Sequence, residues 1–230
     1  MRRIGGITCR AHTALFFGFI VGGMLGTPFS SAAAAVRSAP AGKAYSWSFQ
    51  SDTLGQTPAR TKAFGGVWQV SEDTTGTSPS TRILRQSEPD DGIAFHYLTF
   101  TRPLLEDLDA SVRFRIRSGE INPSAGIMFQ MDPKGTSGYL VRASAKTGEL
   151  SFHYLLYGKR RDLKFAKIDP IEPGTWHMIA ISRRKSVTQA FFDGNQVMMV
   201  RDDRFSKGNV GVWTEDDTLV DFADLAATAR

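Results

Sequence analysis

The sequence predicts an all-β chain folded as an antiparallel two-sheet sandwich, and three observations carry that prediction. From residue 186 to 225 short apolar runs alternate with tight turns. Asp193-Gly194-Asn195 separates the first two runs, and Lys207-Gly208 precedes a third at 209–213. The polar tip at 214–217 then leads into a last run at 219–225. Glycine in such turns accepts the positive φ that hairpins need. Second, residues 110–117 alternate strictly. Ala110, Val112, Phe114 and Ile116 point one way, and Ser111, Arg113, Arg115 and Arg117 the other. Third, no window carries a long helical apolar period with caps, so helix content is expected to be small.

Taken in order, residues 1–35 read as a signal segment. Arg2, Arg3 and Arg10 form a basic start, 14–25 an apolar run broken by glycines, and 31–35 a small-residue cleavage zone. Residues 36–44, rich in Ala, Ser, Pro and Gly, read as a flexible linker. The sandwich is expected over 45–230. Aromatic and small residues alternate at 45–49, as in a half-buried strand. Residues 55–66 read as loop, 67–70 as a strand and 73–80 as a polar surface loop. Strands follow at 82–86 and 93–101, joined by a turn at 88–92. Further strands are expected at 126–131, 139–143, 150–157, 161–168 and 176–182, leading into the closing meander.

Composition narrows the function. The sole cysteine, Cys9, lies in the leader, so residues 36–230 hold no thiol for catalysis, metal binding or a disulfide. Removing the leader's three arginines from the 28 basic residues leaves 25 against 23 acidic ones, a net charge of +2. That balance gives no footprint for nucleic acid. No phosphate loop and no zinc-ligand spacing occurs, so neither metal nor cofactor is expected.

Trp176-His177, Phe192-Asp193-Gly194, residues 208–214 and the terminal Phe222-Ala223-Asp224-Leu225 together resemble the concanavalin A-like lectin/glucanase superfamily. Within it the chain looks most like laminin G-like modules and exported bacterial domains of the 3-keto-disaccharide hydrolase type. The resemblance spans roughly residues 47–226 and implies a jelly-roll sandwich whose concave sheet or rim loops carry a ligand. It departs from that bacterial subgroup at Glu215-Asp216-Asp217-Thr218, at Gln130 and at Ala223. The Glu-x-Asp-x-x-Glu motif of retaining glucanases of this fold does not occur in this sequence.

Arg142, Gln130 and His153 are the candidates for that concave sheet, since planar donors beside aromatics suit sugar hydroxyls or a carboxylate. Arg142 is the expected anchor, and the other reading of it is an ion pair with a nearby acid. Tyr139 has the opposite parity and joins them only from an irregular strand start. Trp213, beside the acidic tip, reads either as a sugar-stacking platform or as core. His153, Glu215 and Asp216 are the candidates for acid–base work; the bland readings are a hydrogen-bonded histidine and a solvated turn. The Arg113, Arg115, Arg117 stripe reads as a solvated face. The function expected is an exported module that binds a glycan, with 3-keto-glycoside hydrolase-like activity left open. The alternative is a non-catalytic structural or protein-interaction module of the cell envelope.

Overall fold

The computed structural model describes residues 42–76, 81–90 and 94–230. The expected signal segment, most of the linker and parts of the loops at 73–80 and 88–92 lie outside the described residues, as does Ile93. Among the described residues there are fifteen strands and no helix. They are β1 (Ala44–Trp47), β2 (Thr61–Phe64), β3 (Trp68–Glu72), β4 (Arg82–Gln86), β5 (Phe95–Phe100), β6 (Leu108–Ser118), β7 (Ser124–Met131) and β8 (Gly138–Ser144). After them come β9 (Glu149–Leu156), β10 (Lys159–Lys167), β11 (His177–Arg184), β12 (Val187–Phe192), β13 (Asn195–Arg201), β14 (Asn209–Glu215) and β15 (Leu219–Ala229).

The strands form two antiparallel sheets. One runs β13-β12-β11-β6-β15-β4-β3, with β1 also on β15; the other, of seven strands, runs β10-β9-β8-β7-β14-β5-β2. The first strand meets the last, Trp47 opposite Leu225 and Ala44 opposite Thr228. Residues 61–64, read as loop, pair with β5 as an edge strand. Thr-Lys-Ala-Phe lacks an apolar alternation, and an edge strand needs none, because one neighbour supplies its ladder. At the far edge, β10 (Lys-Arg-Arg-Asp-Leu-Lys-Phe-Ala-Lys) is largely exposed and dense in cations.

The core sits between the sheets. The alternation of β6 delivers Val112 and Phe114 into it, where they join Ile127, Phe129, Phe152, Val212 and Phe222, all buried. The opposite stripe of β6 is not uniformly solvated. Arg115 is buried against its cross-strand partner Asp221 at 2.7 Å and Asp73 at 3.1 Å. Trp176 is half-buried there, its ring 4.6 Å from the Arg115 guanidinium, and not in the core between the sheets. Burying an arginine demands such partners, and Asp221 takes a second arginine, Arg85, at 2.7 Å.

Candidate functional site

The outward face of the seven-stranded sheet has a small core of its own. Met128, Leu140, Leu155 and Trp213 are fully buried on it, with Phe95 and Tyr97 packed alongside. The face curls. Arg160 on β10 bonds Glu215 on β14, four strands away in sheet order, a separation of roughly 19 Å in a flat sheet. It also lies 5.1 Å from the Phe95 ring on β5, farther still. No arginine spans that distance unless the sheet folds toward this side, so the face is concave and Arg160 straps across it.

Glu215 is the hub. Arg142 Nε lies 2.6 Å from Oε1, and Arg160 Nη1 donates to Oε2. Asn122 Nδ2 at 2.8 Å and Ser124 Oγ at 3.3 Å also reach Oε1. Arg142 donates its Nη2 to Asn122 Oδ1 at 2.6 Å. The side chains of Arg142 and Glu215 are only 8% and 2% exposed, so the pair is dry. Burial pulls the Arg142 guanidinium below its usual range, and the Glu215 carboxylate opposes that pull. Gly126 carries no side chain on the strand beside Arg142. It stands in register between Arg142 and Trp213, and a Cβ there would fall 2.7 Å from Leu140 Cδ1.

His153 shares this face, its Nδ1 2.9 Å from Asp162 and its Nε2 2.7 Å from the Ser151 hydroxyl. Burial, reinforced by Arg160 and Arg142, lowers its pKa to about 4. The ring is therefore neutral near pH 7, with both nitrogens occupied. Asp216, at a left-handed φ of 55° in the turn after β14, is buried, and its Oδ1 has no hydrogen-bond partner among the described residues. Burial and neighbouring Glu215 raise its pKa. Asp217 instead caps the loop after β6, accepting the Glu120 amide at 2.6 Å.

Two predicted members stand elsewhere. Tyr139 keeps the parity of its strand and faces the core, donating its hydroxyl to Asp202 at 2.6 Å. Burial and then that hydrogen bond push its pKa up to about 12. Gln130 occupies a bulge at the opposite end of β7, with φ 50°. Its Nε2 donates to the Glu106 and Ser206 carbonyls at 2.8 and 2.9 Å, which ties two loops together. Trp213 is fully buried and is no platform itself. It lies 5.3 Å from Tyr97, stacked, and 4.5 Å from Phe95, and Tyr97 in turn stacks on Phe64 at 4.8 Å. Phe64, Tyr97 and Phe95 are half-buried, so this row presents partly open rings held by a buried one.

Sequence reasoning missed Asn122, Arg160 and the row Phe95, Tyr97 and Phe64 as site residues. The alternation within β5 carried a signal for two of these rings. Nothing local to Arg160 announces a partner 55 residues away.

No protein-family model matches the sequence, and no curated protein sequence matches it. Solved structures do resemble the fold. The carbohydrate-binding module CBM66 from Bacillus subtilis is 16% identical over 74% of this chain and 96% of its own, with a TM-score of 0.63. A β-glucanase from Bacillus licheniformis is 10% identical over 82% of this chain and 99% of its own, at 0.55. The exoplasmic/lumenal domain of VIP36, in a Ca2+/Man2-bound form, is 11% identical over 74% and 81%, also at 0.55. At such identities the likeness speaks for architecture alone: the chain is a two-sheet antiparallel β-sandwich with the fold of these proteins.

Proposed function

We propose that the chain is an exported carbohydrate-binding module that holds a glycan along the rim of its concave face. The carrying observation is the continuous row Phe64, Tyr97, Trp213 and Phe95, with the Arg160 guanidinium over its last ring. Flat rings suit the apolar faces of sugars, and a guanidinium supplies planar donors to their oxygens. The middle of the face is filled by Met128, Leu140 and Leu155, which leaves the rim for a ligand. Arg142, nearly buried, acts as a positioning residue for Glu215 and through it for Arg160. The fold's solved relatives support the reading, being a carbohydrate-binding module, a β-glucanase and a domain captured with Man2. Export is supported by the order of the leader, a basic start, an apolar run and a small-residue cleavage zone. No helix among the described residues is long and apolar enough to cross a membrane.

A glycan array followed by calorimetric titration of the best ligand tests this. Tyr97→Ala is expected to weaken binding by about tenfold, the scale of one lost ring contact. A silent array, or parental affinity in both Tyr97→Ala and Phe64→Ala, would refute it and favour a structural or interaction module of the envelope. A hydrolytic reading of the 3-keto-glycoside type has one observation in its favour, the buried Asp216 carboxyl beside Glu215, its pKa raised and its Oδ1 without a hydrogen-bond partner among the described residues. A carboxyl with a raised pKa suits a general acid. Release of product from a 3-keto-disaccharide, abolished in Asp216→Asn, would establish it.

A further inference from the structure

A cleft of about 940 Å³ opens at the rim where β1, β2 and β5 meet the loop after β5. That is the upper part of the range of about 300–1,000 Å³ seen for ligand pockets. Its lining includes five cations, Lys43, Arg60, Lys62, Arg102 and Lys207, and no acid. This is a concentration of charge rather than a sample of the surface. After the leader the chain has 25 basic and 23 acidic residues, so without these five the remaining twenty basic residues are outnumbered. Local neutralisation is slight. Lys207 meets Glu106 in an exposed pair at 3.1 Å, of the kind solvent screens. Lys43 and Lys62 lie over the rings of Tyr45 and Phe64 at 5.3 and 4.8 Å. Arg60 and Arg102 make no ion pair among the described residues.

The rest of the lining is built for sugar. Tyr45 and Trp47 contribute rings, and Thr99, Thr101 and Asn209 contribute donors and acceptors. Lys62 belongs both to the cleft and, through Phe64, to the end of the aromatic row. We propose that this cleft binds acidic polysaccharide, that is, sugar chains carrying carboxylates. Guanidinium groups grip carboxylates through paired N–H donors. Several separated cations match charges repeated along a chain better than they match one small anion, and the rings take the sugar faces between them. The inference deepens the glycan reading and rests on it.

The test is titration of the full chain with tetragalacturonate, its methyl ester, and a linear polyphosphate of equal charge. Tetragalacturonate is expected to bind at least about tenfold more tightly than the ester, with an affinity that falls as salt rises. Arg60→Gln/Arg102→Gln is expected to remove at least about tenfold of that affinity at an unchanged melting temperature, since both side chains are exposed. If that variant melts early, Lys43→Gln/Lys207→Gln must show the same loss. Equal binding of the ester overturns the inference and leaves the glycan reading standing. So does an array ligand that is neutral while tetragalacturonate fails. Equally tight polyphosphate overturns it as mere electrostatics, and undiminished binding in both double variants overturns it by placing the site elsewhere. If no sugar binds at all, both readings fall.

Discussion

Replacing Glu215 with glutamine keeps the shape of the hub and removes its charge. Arg142 then sits with a side chain only 8% exposed and no counter-ion on Nε. Breaking a buried pair by removing one partner costs about 3–5 kcal/mol, because the survivor stays desolvated. Arg160, 25% exposed, turns to solvent and adds at most about 1 kcal/mol. With a urea m-value of about 2 kcal/mol/M, the midpoint should fall by roughly 2 M. Urea unfolding at pH 7, followed by tryptophan fluorescence, measures this directly. Replacing the whole pair, Arg142→Met with Glu215→Leu, should recover most of the loss, because an apolar pair of similar volume leaves no charge stranded. A Glu215→Gln midpoint equal to the parent's would refute the reasoning. It would mean that Arg142 is hydrated in solution and the dry hub does not exist.

Protonation supplies a second prediction. His153 titrates near 4 in the folded chain and near 6.5 when unfolded, so below pH 6.5 the unfolded chain takes up a proton that the native one refuses. Its contribution is present above pH 6.5 and is lost as pH falls, amounting to roughly 3 kcal/mol by pH 4. Asp216, raised, works in the opposite direction, so the measurement is the difference between parent and His153→Gln. Melting curves with the same slope over that window in both would count against a buried neutral ring. Third, Trp213→Ala should destabilise by about 3–5 kcal/mol, as for other large buried aromatics. Chemical unfolding would show it, and a fully stable variant would return the indole to the surface.

Strands were legible where one face is buried. Val112, Phe114 and Ile116 announce β6 because every second side chain enters the core. Thr61–Phe64 gave no such sign, since an edge strand draws its order from a neighbour. Parity also placed Tyr139 opposite Arg142, and the structure keeps it on the core side. The sequence could offer an ion pair as one reading of Arg142, but not its partner, because Glu215 lies 73 residues away on a strand separated from β8 by β7. Gln130 has the right sheet and the wrong end of it, a placement set by a bulge that composition does not encode. The curl that carries Arg160 over the face is a property of the whole sheet.

Strand β10 ends the seven-stranded sheet, and an edge of this kind is a template on which a second copy can stack. Its side chains work against that. Lys159, Arg160, Arg161, Lys164 and Lys167 face a single acid, Asp162, along one short strand. Glu215 neutralises Arg160 and Lys167 meets Glu149, but Lys159, Arg161 and Lys164 make no ion pair among the described residues. Two copies brought edge to edge would therefore set like charges against each other at strand spacing. Lys164 also reaches the Met199 carbonyl of the facing sheet's own last strand at 3.2 Å, so the two open edges lean on one another. The strand that straps the concave face thereby also carries charge that opposes edge-to-edge pairing.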